Sequence, residues 1–272
     1  TTQWKLSSYW NKQMGDHWRV SAMVTRIKDN EIDNVAELLK GFKPSKYKAS
    51  KRIKTPGQVK TAGVLSLQDI HFGKEGNETI DQDFEETIID LVNRASSAHH
   101  LEKIYYVIGG DLINMDTWSG TTTSGTPLDN CKTATEAYKQ AFDAILWSIN
   151  YIKQFCDTLQ VVYIPGNHDR LSSFHLAHGL SKCFNDPNIE WDVVYLERKV
   201  FVYGKNFFAF EHGDVNTKNS LMLYSMEYPK EWGATLFRTL YTGHYHHKKK
   251  IEYITQHENT GFTLKILPSL SK

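Results

Sequence analysis

The sequence predicts an α/β domain in which strands and helices first alternate and a hairpin then follows. From residue 61 onward, apolar runs such as "VLSL", "YYVIGG" and "VVYIPG" alternate with longer segments that have the apolar spacing of amphipathic helices. Later, "RKVFVYGKNFFAF" joins two apolar runs through a glycine-containing turn at Tyr203 to Asn206, which is typical of a β-hairpin. Such a chain forms either one mixed sheet or two stacked sheets.

Each predicted strand is a short run of apolar residues, and each predicted helix repeats apolar residues every three or four positions. The first part of the domain has strands over 61–69, 103–111, 159–167 and 191–195, and helices over 83–100, 133–156 and about 170–185. The hairpin of 198–214 is followed by a helical stretch over 217–234 and by strands over 239–244, 248–255 and 261–267. No internal repeat interrupts this order.

Residues 1–42 differ from the rest and predict a small N-terminal α+β appendage. They contain two short aromatic and β-branched runs and then "NEIDNVAELLKGF", which has the apolar spacing of a helix. Residues 43–60 predict a basic linker, because eight basic residues and no acidic residue lie between Lys40 and Lys60. Two interpretations stay open for this stretch: a solvated linker or a strip that contacts a phosphate backbone.

Composition limits the class of protein. A hydrophobic content of 40% and a charged content of 23% are those of an ordinary globular chain. The formal net charge of +1 gives no overall attraction to nucleic acid or to an anionic membrane. The three cysteines form no CxxC pair, and no apolar run approaches the ~20 residues of a membrane span. We therefore expect a cytoplasmic protein with reduced thiols and no membrane contact.

Residue types that bind metals follow five of the predicted strands. In open α/β sheets the carboxyl ends of strands line the ligand crevice, so these clusters can converge in space. If the strand conformation continued past Asp69, side chains 69 and 71 would share a face, and the same holds for 244 and 246. The clusters are Asp69 and His71 in "LQDIH", Asp111 in "IGGD", Asn167, His168 and Asp169 in "IPGNHD", His212 in "FEHGD", and His244 and His246 in "YTGHYHH".

The ordered set DxH, GD, GNHD, H and GHxH resembles the signature of the calcineurin-like metallophosphoesterase superfamily. A single Gly-Asp pair is uninformative, but a GNHD tetrapeptide arises by chance in roughly one chain per thousand of this size. The resemblance covers residues 61 to about 268 and predicts a metallophosphoesterase domain over 61–272. It implies a four-layer α-β-β-α sandwich with two mixed β-sheets and a dinuclear metal site at the strand ends. Small members of this build also occur in phages and prophages, and the appendage would suit that source.

Position by position, the resemblance implies two divalent metal ions and a phosphoester substrate. It implies Asp69, His71 and His246 as ligands of the first ion, Asn167, His212 and His244 as ligands of the second, and Asp111 as the bridge between them. This mixture of carboxylate, amide oxygen and imidazole suits Mn, Fe or Zn. Mn²⁺ is the first choice from the family, with Fe, Zn and Mg open as alternatives.

The GNHD motif also provides the expected catalytic residues. The resemblance implies that the metals activate a water and that His168 acts as general acid for the leaving group, with Asp169 orienting its ring. The alternative for Asp169 is a helix N-cap, since Asp is favoured before a helix such as the one expected to begin near Arg170.

The substrate is less defined than the reaction class. Protein phosphatases of this superfamily carry GDxVDRG and GNHE, whereas this chain has "GDLINMD" and GNHD, which resemble the nuclease and phosphodiesterase branches. The favoured prediction is a nuclease acting on DNA or another nucleic acid. The alternatives are a small-molecule or cyclic-nucleotide phosphodiesterase, a phosphomonoesterase, or a non-catalytic scaffold of the same fold.

Two further residues are candidates for substrate binding. Asn114 follows the second motif and would position substrate or serve as a polar turn residue. Trp118 lies in the long polar stretch 115–130 and would stack on a base or pack the loop against the domain. The basic strip and "HHKKK" after the last motif could add phosphate contacts, although the near-neutral balance is unlike that of a dedicated nucleic-acid binder.

Overall fold

The chain divides into two compact units, Thr1–Lys46 and Tyr47–Lys272. The computed structural model describes residues 3–14, 17–27, 59–215, 219–245, 256–259 and 261–271.

The first unit contains an antiparallel hairpin. Its strands are β1 (Gln3–Met14) and β2 (His17–Ile27), and their register shifts between Leu6 and Ser8. The helix predicted in this unit lies outside the described residues, as does the basic linker apart from its last two positions.

The second unit begins with a parallel sheet whose strands are connected by helices. The spatial order of the strands is β3, β4, β5, β6, and each adjacent pair is parallel. The elements in chain order are β3 (Lys60–Ser66), α1 (Ile80–Ala98), β4 (His100–Gly109), α2 (Ala134–Ile152), β5 (Cys156–Ile164), α3 (Arg170–Cys183) and β6 (Ile189–Asp192).

A second sheet follows along the chain and is mixed. Its order is β10, β11, β9, β8, β7, with antiparallel pairs at both edges and parallel pairs on either side of β9. Its elements are β7 (Arg198–Tyr203), β8 (Asn206–Glu211), α4 (Ser220–Glu227), α5 (Pro229–Ala234), β9 (Phe237–Thr242), β10 (Gln256–Asn259) and β11 (Phe262–Ile266). The expectation of two mixed sheets is therefore correct for this sheet and wrong for the first, whose described strands are all parallel.

The two sheets pack face to face through an apolar layer. Tyr105 and Val107 of β4, Val162 and Ile164 of β5, and Phe210 of β8 form one buried cluster. Because side chains alternate along a strand, the other face of β4 and β5 is buried against α1, α2 and α3. The outer face of the mixed sheet is buried in turn against α4 and α5. The second unit is thus a four-layer α-β-β-α sandwich, the architecture that the resemblance implied.

Local sequence explains why the helices lie where they do. In α1, Ile80, Phe84, Ile88 and Val92 recur every four residues and form the buried face. At the start of α2, Thr133 accepts a hydrogen bond from the backbone of Glu136, whose carboxylate accepts one from the Thr133 N–H. This capping box fixes the first residue of the helix.

Most element boundaries agree with the sequence predictions within a few residues. The hairpin turn falls between β7 and β8 as predicted. The helical stretch predicted over 217–234 is two helices, because Pro229 begins a new helix at its first position. The strand predicted over 248–255 lies outside the described residues. Within the described part of the chain, no helix has both the length and the apolar character that crossing a bilayer requires.

Candidate metal centre

The loops that follow β3, β4, β5, β8 and β9 meet at one rim of the sandwich. The backbone N–H of Asp69 donates to the carbonyl of Gly110 at 2.8 Å. The N–H of His244 donates to both carboxylate oxygens of Asp69, at 2.8 and 3.1 Å. The N–H of His168 donates to Asp111 Oδ1 at 2.7 Å. The predicted motifs are therefore hydrogen-bonded to one another although they are far apart in sequence.

Left-handed backbone conformations mark the same positions. All the non-glycine residues that the described part of the chain holds at positive φ are predicted metal ligands: Asp69 (57°), His71 (54°), Asp111 (58°) and His244 (70°). Residues held in sparsely populated backbone regions cost on the order of 1–3 kcal/mol each and cluster at functional sites. This backbone geometry is independent of any assumption about metals.

These conformations correct the reason given for the DxH and GHxH spacings. β3 ends at Ser66 and β9 ends at Thr242, so neither Asp69 nor His244 lies in a strand. The alternation of side chains along a strand therefore does not place residues 69 and 71 on one face. Left-handed turns after the strands place these side chains instead.

Four of the predicted ligands of the second ion converge. The ligand atoms of Asp111, His212 and His244 all lie within 4.8 Å of one another. Asn167 joins them, because its Oδ1 lies 3.0 Å from His212 Nε2, which is also 3.1 Å from Asp111 Oδ2. Two ligand atoms that each lie ~2.1 Å from one ion are ~3.0–3.4 Å apart at octahedral to tetrahedral angles. The observed separations suit a single cation among these atoms.

A second group shares Asp111. The nearest ring nitrogens or carboxylate oxygens of His71, Asp111 and His168 lie within 4.8 Å of one another, so Asp111 belongs to both groups. His71 and Asp111 are predicted ligands of the first ion, whereas His168 is the residue predicted to serve the leaving group. Asp69 is fully buried beside them, and its carboxylate accepts a hydrogen bond from the backbone N–H of His244. His246, the remaining predicted ligand of the first ion, lies outside the described residues.

Gly166 allows the GNHD loop to approach Asp111. A Cβ atom at Gly166 would overlap both the backbone nitrogen and Oδ1 of Asp111. Backbone atoms do not yield as a flexible side chain does, so only glycine fits at this position without displacing the loop. The close approach of the GNHD loop to Asp111 therefore depends on glycine at this position.

The central charges stabilise one another. Burial opposes the ionisation of Asp111, but the adjacent His212 imidazole and the charges of His71 and His168 outweigh it and lower the Asp111 pKa below its usual range. Burial likewise opposes a charge on His212, yet Asp111 raises the pKa of that imidazole to about 9. The negative charge of Asp111 therefore favours a positive charge at this position of the site.

Burial raises the pKa of two neighbouring carboxyl groups, those of Asp69 and Asp169. Burial raises the pKa of Asp69 to about 7. Burial, with the charge of Asp111, raises the pKa of Asp169 to about 8. Ionised carboxylates gathered in a buried site are unfavourable unless a positive charge compensates them, and bound divalent cations are often that charge.

The donor set fits divalent metal ions. Asp111 Oδ2 is buried and has no aligned hydrogen-bond donor among the described residues, which leaves it available to a cation. Carboxylate oxygens, an amide oxygen and imidazole nitrogens together suit Mn, Fe or Zn. The described residues that would hold the ions are Asp69, His71, Asp111, Asn167, His212 and His244.

His168 is held in one orientation by a backbone carbonyl. Its Nδ1 donates to the carbonyl of Asn114 at 2.9 Å, which leaves Nε2 facing the centre, 3.9 Å from Asp111 Oδ2. A hydrogen bond to one ring nitrogen decides which nitrogen is free for chemistry. Nε2 is therefore the atom of His168 that can meet a reacting group.

Asp169 lies at the N-cap position that one prediction gave it, but its side chain neither caps the helix nor orients His168. Its Oδ2 accepts a hydrogen bond from the backbone of Ile113 at 2.8 Å, and the His168 ring is oriented by Asn114 instead. Although Asp169 occupies the N-cap position of α3, its side chain makes no capping hydrogen bond. Asp169 thus joins the GNHD loop to the loop after β4.

The two candidate substrate residues differ in exposure. The Asn114 side chain is buried, and its Nδ2 donates to the carbonyl of Asp129 at 3.2 Å and to Asn130 Oδ1 at 2.8 Å. These bonds fit the interpretation as a polar turn residue, so the substrate-positioning role is not supported by them. Trp118 is 85% exposed, which excludes packing of its ring against the domain and leaves it accessible to a ligand.

Asp116 anchors the loop that carries Trp118. Its Oδ1 accepts from the N–H of Ser172 at 2.7 Å, and its Oδ2 accepts from the N–H of Leu171 at 3.1 Å and from the hydroxyl of Thr123 at 2.7 Å. It therefore accepts two of the free N–H groups in the first turn of α3 from outside the helix. Sequence reasoning missed this residue, because a helix cap supplied from a distant loop leaves no local pattern.

The hydrogen bonds to Asp116 predict a pH-dependent contribution to stability. Burial raises its pKa, but hydrogen bonds from Ser172, Thr123 and Leu171 outweigh burial and lower the pKa below its usual value. A lowered folded pKa gives stability that is fully present above the unfolded pKa of ~3.9 and is lost as the pH falls through the folded pKa. The difference in the free energy of unfolding between wild type and Asp116→Asn should therefore be constant from about pH 5 to 7 and shrink below about pH 4.

Urea denaturation at several pH values measures this difference. Ser172→Ala removes one hydroxyl donor and should reduce the difference that the Asp116→Asn substitution produces. A difference that stays constant down to pH 3 would contradict this description of the loop.

Comparisons with known proteins give few matches. No protein-family model and no curated protein sequence matches the chain. A conserved Streptococcus pneumoniae protein described as a predicted phosphoesterase has 11% identity and a TM-score of 0.32, covering 76% of this chain and 72% of that chain. A single-mutant form of Vps29 from Entamoeba histolytica has 12% identity and a TM-score of 0.33, covering 77% of this chain and 74% of that chain. At these TM-scores neither similarity supports a conclusion about this chain, and its fold assignment depends on the strand order and layers described above.

Proposed function

We propose that this protein is a metal-dependent phosphoesterase that hydrolyses phosphodiester bonds at the rim of the sandwich. The main support is that the predicted ligands Asp69, His71, Asp111 and His244 meet there, all with left-handed backbones. If these polar residues had only a structural role, there would be no reason for the left-handed backbones to fall at four positions of the metal-binding motifs. The two ligand groups that share Asp111 add support for a dinuclear centre.

The residues of the chain have separable tasks. Two bound divalent ions would supply Lewis acidity for a water nucleophile and for the phosphate oxygens. Asp111 follows β4 of the parallel sheet and His212 follows β8 of the mixed sheet. A phosphate bound between them would therefore lie at the rim where the ends of the two sheets meet. His168 directs Nε2 toward the centre and can donate a proton to the leaving oxygen, while Asn114 keeps its ring from turning.

Within this class we favour a nucleic acid, most simply DNA, as substrate. The loop over 115–130 is hydrogen-bonded to the GNHD motif, since Thr123 N–H donates to the His168 carbonyl at 3.2 Å. The same loop exposes Trp118, and stacking of one base on such a ring contributes ~1–3 kcal/mol. A base next to the scissile phosphate would therefore have an exposed aromatic partner on the loop that contacts His168.

A small-molecule or cyclic-nucleotide phosphodiester is the second candidate, and one contact favours it. Arg170, which directly follows the GNHD motif at the start of α3, is already paired with Glu197 and Asp214. It is therefore not available to neutralise a phosphate backbone. A short substrate needs less positive surface than a polymer.

A comparison of substrates in the presence of Mn²⁺ tests the proposed function. The panel is bis-p-nitrophenyl phosphate, p-nitrophenyl phosphate, cyclic nucleotides, and single- and double-stranded DNA. We expect hydrolysis of the diester and of DNA, with loss of activity after chelation. Hydrolysis of the monoester alone would overturn the nuclease proposal, and metal binding without any hydrolysis would favour a non-catalytic scaffold.

His168→Ala should lower turnover by ~10²-fold or more because the leaving group loses its proton donor. Metal content must be measured on the same sample, since His168 lies within reach of His71 and Asp111. His175→Ala, on the adjacent helix α3, is the matched control and should leave turnover unchanged. Full activity of His168→Ala with normal metal content would remove His168 from the mechanism.

A further inference from the structure

Arg170, the first residue of α3, connects this helix to two loops, the one between β6 and β7 and the one after β8. Its Nη1 donates to the hydroxyl of Tyr195 at 2.8 Å and to Glu197, and its Nη2 donates to Asp214 Oδ2 at 2.9 Å. A planar guanidinium with several donors in a fixed fork can hold two carboxylates at once, which a lysine ammonium does with less geometric precision. The three partners therefore fix the orientation of the guanidinium.

The bond between Arg170 and Asp214 runs alongside a pair of ligands. Arg170 follows Asn167 by three residues after β5 of the parallel sheet, and Asp214 follows His212 by two residues after β8 of the mixed sheet. Asn167 Oδ1 and His212 Nε2 are 3.0 Å apart. Two links, one between ligands and one between charged side chains, thus join the same two loops from different sheets.

We propose that Arg170 and Asp214 form a brace that sets the separation of Asn167 and His212, and thereby the affinity of the chain for the second metal ion. This inference depends on the metal centre of the proposed function. Arg170 is a positioning residue here, because it acts through the two ligand loops and does not face the ligand atoms.

The expected energetics separate this role from a general effect on stability. The side chains of Arg170 and Asp214 are 26% and 13% exposed, and an ion pair that keeps contact with solvent contributes little to folding stability. Groups that orient metal ligands change metal affinity by roughly 10–100-fold when they are removed. Loss of the brace should therefore weaken metal binding far more than folding.

Arg170→Gln should lower the affinity for the second Mn²⁺ ion by roughly 10–100-fold and leave the affinity for the first ion nearly unchanged. Isothermal titration calorimetry of the full chain with Mn²⁺ measures both affinities. Asn167→Ala identifies the binding step of the second ion, and His71→Ala identifies that of the first. Arg170→Lys, which keeps the charge but not the fork, should restore part of the lost affinity.

Arg198→Gln is the matched control. The Arg198 side chain has the same 26% exposure, but its guanidinium bonds to Glu227 of α4 at 2.6 and 2.9 Å and not to Asp214. It should leave both Mn²⁺ affinities unchanged. Asp214→Asn should reproduce the Arg170→Gln loss, and the double variant should lose no more than either single variant if the two residues act as one unit.

Two outcomes would overturn the brace. One is an unchanged second affinity in both Arg170→Gln and Asp214→Asn, and the other is an equal loss in Arg198→Gln. If one brace variant fails to fold, the other decides the question. A wild-type chain that binds no Mn²⁺ would instead overturn the metal centre itself, so the two failures are distinguishable.

Discussion

The site depends on the contact between the Asp111 carboxylate, which follows β4 of the parallel sheet, and the His212 imidazole, which follows β8 of the mixed sheet. Both groups are almost completely buried, and a buried charge is tolerated only when it is paired or bound to a metal. Asp111 also accepts the N–H of His168 and so fixes the start of the GNHD loop. The Asp111 carboxylate therefore contacts both the His212 imidazole and the backbone of His168, and so holds these two residues next to itself.

The sandwich supplies the rigidity that this contact requires. β4 and β5 pair in parallel up to Gly109 and Ile164, immediately before the loops that carry Asp111 and Asn167. The apolar layer between the sheets holds the strand ends at a fixed separation. The packing of the domain therefore offsets the unfavourable free energy of the left-handed backbone conformations. A site built on strand ends in this way can keep ligands in place before any ion binds.

Much of the fold, and the meeting of several candidate ligand side chains at one rim, could be predicted from the sequence, because strand periodicity and residue type are local signals. Asp111, Asn167, His212 and His244 converge as predicted. The reasons were less accurate: a left-handed turn at His71, not strand alternation, places that side chain. Asp169 was assigned a task that the Asn114 carbonyl performs, since a backbone carbonyl has no signature in sequence. Asp116 and Arg170 depend on partners from distant loops, which periodicity cannot reveal.

The central claim is that two metal ions share Asp111, and metal stoichiometry tests it most directly. Calorimetric titration with Mn²⁺, checked by metal analysis after dialysis, should give two ions per wild-type chain. Asp111→Asn keeps the size of the side chain but removes the bridging charge, so both ions should bind much more weakly. Two ions bound to Asp111→Asn with wild-type affinity would contradict the shared carboxylate, and so would a folded wild-type chain that binds no metal.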